Sequence, residues 1–379
     1  MKILAISHEF PPIGGGGANA AYYLTKGFVE KGHKVTLITA NYQDMEQQET
    51  INGVTLIRVN AKRKYKEHCS FQEMLSFILK AYPVAEKFEE NEHYDICLIF
   101  FGIPSGPLGY MLKKRRELPY VVRFGGGDIP GFQNRFKVIY KILAPFVRGI
   151  WKNADGLVAN SEGLCQLANE FYSKRKIDVI TNGVDDEYFC PKKEEKKYID
   201  ILFVSRLIER KGVQYIIPKL DYINERTKEN IRFTIVGDGP YKDVLLNLAN
   251  KNNNKDIIEF VGQKNKTDIL KYYQKADIFV LPSKKEGMPN VVLEAMACGL
   301  PIIMSNCEGS KELVVENGFV AEIEKIPDLL IRLCNNEEER VNMGINSRKR
   351  IQKLFSWDII VEEYIKKMED ILDMQKIRG

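Results

Sequence analysis

Short runs of apolar and β-branched residues alternate with longer amphipathic stretches along most of the chain, the pattern of repeated β-α-β units and parallel sheets. In the first half the apolar runs predict strands at Lys2–Ser7, Lys34–Ala40, Val54–Val59, Asp95–Phe101, Tyr120–Phe124, Gly156–Asn160 and Asp178–Thr181. Apolar positions spaced three and four apart predict helices over Ala18–Lys31, Phe71–Glu90, Ser105–Arg116, Gln133–Lys152 and Glu162–Tyr172. The pattern then breaks. Residues Asp185–Lys197 hold one proline and a dense run of charge without periodicity, and read as an interdomain linker.

Beyond the break the alternation restarts, with strands predicted at Asp200–Val204, Arg232–Val236, Ile258–Val261, Asp277–Leu281 and Pro301–Met304. Helices are predicted near Gly212–Asn224, Tyr241–Asn252, Lys266–Lys275 and Asn290–Cys298. Two series separated by one interruption argue for an α/β protein of two doubly wound, Rossmann-like domains, residues 1–185 and 198–356, rather than one (β/α)8 barrel. From Pro327 to Gly379 the chain reads as consecutive helices without a strand. Such a tail can pack on its own domain or reach back to the first, and the pattern leaves both open. Ligands of open parallel sheets bind outside the carboxyl ends of the strands, so the expected site is a cleft between the two sheets.

Composition narrows the class. The 379 residues are 44% hydrophobic and 28% charged, as in soluble globular proteins. A formal charge of +5 is too small to imply a nucleic-acid partner. The seven cysteines form no C-x-x-C pair, which excludes a disulfide framework or a cysteine zinc site and favours a reducing, cytoplasmic setting. No apolar stretch is long enough for a membrane span and no cleavable leader is evident. His8, His33, His68 and His93 all lie in the first quarter of the chain.

Three loops at predicted strand ends carry candidate chemistry. Gly14, Gly15, Gly16 and Gly17 stand between the first strand and a helix, where consecutive free N–H groups suit a diphosphate. A flexible turn is the competing reading. Gly15-x-Gly17-x-x-Ala20 also fits the dinucleotide fingerprint, though seven residues separate strand from glycines and no acid clearly ends the second strand. After Val204, Arg206 and Lys211 flank one loop, a planar fork and a compact charge suited to a diphosphate; a surface ion pair with Glu209 is the alternative. After Leu281, Glu286 precedes a helix beginning near Asn290, and Glu294 sits about one turn inside it on an otherwise apolar face. A carboxylate there needs a partner, and sugar hydroxyls would serve.

Read together, these spacings resemble a known family. R-L-x-x-x-K-G at Arg206–Gly212, G-D-G-P at Gly237–Pro240, E-G-x-P-x-x-x-x-E-A-M-A-x-G at Glu286–Gly299, and a leading Pro-Pro-x-Gly-Gly loop are similar to the retaining nucleotide-sugar glycosyltransferases of family 4, of GT-B fold. Asn182-Gly183-Val184-Asp185 and Phe355-Ser356-Trp357 extend the likeness over essentially the whole chain. The resemblance implies a final helix, 357–379, crossing back onto the N-terminal domain, which would take the acceptor while the second domain holds the donor. It further implies that Arg206 and Lys211 stabilise the leaving nucleoside diphosphate without a metal or other cofactor. Glu294 would accept from the ribose, and Glu286 with Met288, Pro289, Asn290 and Val291 would hold the sugar. Gly237 and the Gly14–Gly17 loop would line the donor's phosphates. The partners implied are a UDP- or GDP-linked hexose and a glycan or lipid-linked acceptor of surface polysaccharide, lipopolysaccharide or glycoprotein glycan assembly.

One departure stands out. Members with an H-G-x-D-type loop place a His near the sugar, whereas this chain reads Arg123-Phe124-Gly125-Gly126-Gly127-Asp128, with Gly125 where the His would fall. Asp128 or Arg123 could take over its role, or Asp128 could cap the turn before Pro130. His8 could face the cleft or be structural, and His33 belongs to an ordinary turn. Basic stretches at Lys62–Lys66, Lys113–Arg116 and Arg135–Leu143 read either as contacts with an anionic membrane or as solvated faces. Two other functions remain as alternatives: an NAD(P)-dependent oxidoreductase using the glycine loop, and a non-catalytic relative, which would need a broken donor motif.

Overall fold

The computed structural model describes residues 1–66, 69–132, 137–192 and 196–378. His68, the helix start expected at Gln133, the basic residues from Arg135, and positions 193–195 of the charged run lie outside the described residues. The chain forms two units, Met1–Asn182 with Trp357–Gly379, and Gly183–Ser356.

The first unit runs β1 (Lys2–Ile6), α1 (Gly16–Glu30), β2 (Lys34–Ala40), β3 (Gln48–Ile51), β4 (Val54–Val59), α2 (Phe71–Glu92), β5 (Ile96–Phe100), α3 (Gly106–Arg116), β6 (Tyr120–Arg123), α4 (Lys137–Asn153), β7 (Gly156–Ala159), α5 (Glu162–Phe171) and β8 (Asp178–Val179). The strands form one sheet in the order β3-β4-β2-β1-β5-β6-β7-β8, parallel except for β3. The unforeseen β3 pairs with β4 through Asn52 and Gly53, both at positive φ, the two-residue turn that an Asn-Gly pair favours. Central strands such as β5 are buried along their whole length, as parallel strands covered on both faces must be.

The second unit runs β9 (Ile199–Val204), α6 (Leu220–Asn224), β10 (Ile231–Val236), α7 (Lys242–Ala249), β11 (Ile258–Gly262), α8 (Lys266–Lys275), β12 (Ile278–Leu281), α9 (Asn290–Ala297), β13 (Ile302–Ser305), α10 (Ser310–Leu313), β14 (Gly318–Ala321), α11 (Ile326–Asn335) and α12 (Glu337–Arg350). Its sheet is wholly parallel, in the order β11-β10-β9-β12-β13-β14. This is the doubly wound order of dinucleotide folds, with the order reversing between β9 and β12. The helix expected over Gly212–Asn224 is instead a series of tight turns ending in α6, because Pro218 lacks the N–H a continuous helix would use. The short edge strand β14 was not foreseen.

Two expectations about connections are resolved. The run Asp185–Lys197 is no free spacer: Phe189 is buried in the second unit's core, edge-on to Tyr273 at 5.9 Å, and its carbonyl accepts from Arg348 Nη1 at 3.0 Å. The tail returns to the first unit as α13 (Trp357–Arg378). There Trp357 stacks on Tyr23 at 5.1 Å, and Val361 seats against α1 where Gly27 has no side chain. Lys367 Nζ reaches Asp178 Oδ2 at 2.6 Å. Together α1 and α13 cover one face of the first sheet, while α2 to α5 cover the other. Among the described residues no helix is long and apolar enough to cross a membrane.

Ile360 on α13 is 1% exposed. Ile360→Ala is expected to cost about 2–4 kcal/mol, read as a lower midpoint in denaturant unfolding. An unchanged midpoint would show that α13 is not part of the first core.

Candidate functional site

In the second unit, the turn after β9 and the loop after β12 come together where the strand order reverses. The Lys211 ammonium lies 2.6 Å from Glu286 Oε1, and both side chains are largely buried. Arg210 approaches the other Glu286 oxygen at 4.0 Å and donates to the Lys285 carbonyl at 2.6 Å, while Lys284 N donates to the Arg210 carbonyl at 2.8 Å. The two loops are thus sewn together by backbone as well as by charge. Burial lowers the Lys211 pKa, Glu286 opposes that shift, and Arg210 and Arg206 add to it. Arg206 itself is exposed. No ion pair joins it to Glu209 among the described residues.

Gly237 follows β10 with its backbone against the Ser205 carbonyl, where any Cβ would lie 1.9 Å from that oxygen. Its φ of +143° adds a second demand for glycine. Gly237 therefore fixes how closely the loops after β9 and β10 approach. Past Glu286, Met288 is buried, and Pro289 precedes α9, whose first turn from Asn290 and Val291 carries no side-chain cap and no acid. That leaves a helix N-terminus beside a cluster of cations. One turn on, Glu294 Oε2 accepts a hydrogen bond from the Tyr273 hydroxyl at 2.7 Å. Burial raises the Glu294 carboxyl to about 7, against the pull of Tyr273 and Lys266.

In the first unit the strand order turns between β1 and β5, and the glycine loop leaves β1 at that point. Helix α1 begins at Gly16, so Gly16 and Gly17 form its first turn, again without an acid or side-chain cap. Gly14 N donates to the Lys66 carbonyl at 2.9 Å. A Cβ on Gly17 would lie 2.2 Å from Phe101 Cζ, whereas one on Gly15 would meet nothing within 4 Å. Gly17 is therefore required by internal packing, and Gly15 and Gly16 are the exposed pair that a ligand could approach.

Phe101 also accounts for Gly125. A Cβ at Gly125 would fall 2.6 Å from the Phe101 ring, so the ring occupies the direction a side chain at 125 would take. Phe101 holds a positive φ of 72° and meets the His8 ring edge-on at 4.7 Å. His8 is buried and its pKa falls to about 4, so it is neutral at physiological pH despite Glu9 at 3.5 Å. Asp128 is buried, accepting from Gly102 N at 2.6 Å and Gly125 N at 2.8 Å, with burial raising its pKa. Its two oxygens tie the loop after β5 to the loop after β6. Arg123 is buried too and donates to Asn182 Oδ1, the last residue before the chain leaves this unit.

The basic stretches separate on inspection. Arg63 turns inward to Glu9 at 3.4 Å, while Lys62, Lys64 and Lys66 stay exposed. Lys113 pairs with Asp155 at 2.6 Å, Arg115 with Glu86, and Arg116 with Glu90, while Lys114 lies over the Tyr110 ring, so three of that cluster's four cations have a carboxylate partner. Sequence reasoning missed Phe101, Arg210 and Tyr273. Phe101 sits where a strand-end residue next to the glycine loop should have been considered, whereas nothing in the local pattern marks Tyr273.

Two doubly wound units of this kind make up the GT-B architecture, and over 99% of its length the chain superposes on sucrose-phosphate synthase from Thermosynechococcus elongatus, covering 100% of that chain at a TM-score of 0.83 and 20% identity. The model of Glycosyltransferase Family 4 matches residues 14–188, and that of Glycosyl transferases group 1 matches residues 184–350. The chain belongs to this glycosyltransferase family. A UDP-Gal:alpha-D-GlcNAc-diphosphoundecaprenol alpha-1,3-galactosyltransferase of Escherichia coli is 30% identical over 310 residues, 76% of this chain and 78% of that one. A GDP-mannose-dependent monoacylated alpha-(1-6)-phosphatidylinositol monomannoside mannosyltransferase of Corynebacterium glutamicum is 26% identical over 95% of this chain and 96% of its own. An uncharacterized glycosyltransferase of Methanocaldococcus jannaschii is 28% identical over 98% and 99%. The oxidoreductase alternative finds no support: both family models are of glycosyltransferases, and β2 ends at Ala40 followed by Asn41 rather than an acid.

The packing of Phe101 yields a direct test. Gly125→Ala is expected to destabilise the chain by about 1–3 kcal/mol through overpacking. In a Phe101→Ala background most of that cost should vanish, a coupling of about 1 kcal/mol or more in a double-mutant cycle of unfolding free energies. Additive costs would show that the ring does not govern position 125.

Proposed function

We propose that the chain is a retaining, metal-independent hexosyltransferase, moving a sugar from a UDP- or GDP-linked donor to a glycan or lipid-linked acceptor in cell-surface glycan assembly. The observation that carries the reading is the convergence of Lys211 and Glu286, from two different strand ends, with Glu286 just ahead of an α9 N-terminus that has no side-chain cap. Retention comes from the family resemblance, and the donor and acceptor classes from the names of the Escherichia coli and Corynebacterium relatives.

In this reading the second unit, Gly183–Ser356, holds the donor, and the first, Met1–Asn182 with Trp357–Gly379, takes the acceptor. As the anomeric bond breaks, negative charge develops on the leaving nucleoside diphosphate, and fixed cations there lower the barrier. Lys211 and Arg206 supply that charge in place of a metal ion. Glu286 and the backbone of Met288–Val291 hold the sugar, Glu294 accepts from the ribose, and Gly237 fixes the floor of the loops. Gly15 and Gly16 offer a further N–H surface for phosphate oxygens. Asp128 acts by holding the loops after β5 and β6.

A second element, peripheral attachment to a membrane, is favoured by apolar side chains left exposed in the first unit. Phe71, Leu75 and Leu79 recur every fourth residue along α2, just after the exposed Lys62, Lys64 and Lys66. Ile142 and Phe146 are exposed in the same way on α4. Apolar stripes flanked by lysines suit an anionic bilayer surface.

Lys211→Ala and Glu286→Gln are each expected to cut sugar transfer at least roughly 100-fold, measured against a panel of nucleotide sugars at a temperature where circular dichroism shows the variant folded, and each should lower the melting temperature because one side of a buried ion pair is removed. EDTA should leave the wild-type rate untouched; loss of activity restored by a divalent ion would sink metal independence. In flotation at low salt the protein should rise with vesicles containing anionic lipid and not with neutral ones, and Leu75→Glu with Leu79→Glu should abolish it. Equal behaviour in both vesicle types would remove the membrane element.

A further inference from the structure

We infer that Tyr273 is a positioning residue for Glu294: its hydroxyl fixes one carboxylate oxygen so that the other is presented to the vicinal diol of a nucleoside ribose. This rests on the assignment of Glu294 to the ribose made above. The geometry is one-sided. Glu294 Oε2 is engaged by Tyr273 at 2.7 Å, and Oε1 has no hydrogen-bond partner among the described residues. The Tyr273 ring is fully buried between Phe189, edge-on at 5.9 Å, and Phe279, tilted at 6.1 Å, so its hydroxyl cannot swing away. It thereby links α8 to α9, the helix that follows the Glu286 loop.

The charged and titratable groups around Glu294 are few. Lys266 at the start of α8 favours the carboxylate from a distance while engaged with Asp185 at 3.6 Å; Cys298 stands just past the C-terminal end of α9, its thiol driven up by burial. No cation pairs directly with Glu294 among the described residues. Burial brings its titration to about 7, and the Tyr273 hydrogen bond opposes further rise. Burial and Glu294 push the Tyr273 hydroxyl well above its ordinary value, so it stays a donor throughout the neutral range. A carboxylate accepts from both ribose hydroxyls on its remaining lone pairs, whereas the protonated acid loses acceptor capacity. Removing the Tyr273 donor therefore moves the titration of Glu294 upward, so less of it is ionised at neutral pH.

The test is calorimetric titration of the full chain with UDP, GDP and ADP, followed from pH 6.5 to 8.5 with whichever binds tightest and with its 2′,3′-dideoxy form. Wild-type affinity should fall as pH drops below about 7, the titration of Glu294. Tyr273→Phe should weaken binding at least roughly three- to tenfold at pH 7, as expected for a shift of about one pKa unit, and regain only part of that loss by pH 8.5, where the ionised carboxylate still lacks its anchor. Glu294→Gln should be weak and independent of pH, and adding Tyr273→Phe to it should change nothing further. The dideoxy nucleotide should be indifferent to both substitutions. If Tyr273→Phe perturbs the fold, 4-aminophenylalanine at position 273 keeps a donor in place and should bind as wild type. Wild-type behaviour of Tyr273→Phe, a loss that is flat in pH, or an additive loss in the double variant overturns the inference while leaving Glu294 at the ribose. Wild-type binding by Glu294→Gln overturns the ribose assignment itself.

Discussion

A parallel sheet has to be covered on both faces, and the first unit meets that constraint only by recovering the end of the chain. Helices α2 to α5 lie on one face, but the sequence up to Asn182 supplies only α1 for the other. The missing cover is α13, whose Trp357, Ile360, Val361, Tyr364, Met368 and Ile371 are buried with α1 in one cluster. The chain therefore completes its first core last. The second unit, folded from the continuous segment Gly183–Ser356, is bracketed by a bridge between Val184 and Ser356 at its two ends.

The same topology decides where chemistry can occur. When strand order reverses, the loops leaving the two central strands turn to opposite sides and leave backbone N–H groups exposed between them. In the second unit these are the loops after β9 and β12, which is why residues 75 positions apart, Lys211 and Glu286, meet at 2.6 Å. In the first unit they are the loops after β1 and β5, and the glycine loop and Phe101 stand there.

Most of the architecture was legible because helix and strand periods differ and the alternation rarely blurs. What escaped had physical reasons. The edge strands β3 and β14 are four residues each and only partly buried or exposed, so they carry little apolar signal, although Asn52-Gly53 marked the first. The segment from Gly212 has helical spacing that Pro218 interrupts. At the candidate site, residue types and spacing singled out Arg206, Lys211, Glu286 and Glu294, but not what each touches in the fold. Arg63 and Arg123 read as exposed or site-facing cations and are buried against Glu9 and Asn182, because an Arg stem packs as well as it solvates. Tyr273 is the buried aromatic of a largely polar helix, a position whose type fits plain packing.

The Lys211–Glu286 pair shows how charge and burial set each other's terms. Burial alone would push Lys211 toward its neutral form, and neighbouring Arg210 and Arg206 push the same way; only Glu286 resists. A cation held this way is poised to exchange partners. On the proposed reading, a diphosphate arriving at the loop brings more negative charge than the one carboxylate supplies, so Lys211 stays protonated without Glu286 as its sole counter-charge. Glu286 is then able to accept from the hydroxyls of the sugar while Lys211 follows the charge that develops on the leaving group. On that reading the pair has two roles in succession: in the free protein Glu286 opposes the loss of charge that burial favours at Lys211, and with the donor bound the two would divide into a sugar-facing acceptor and a phosphate-facing cation.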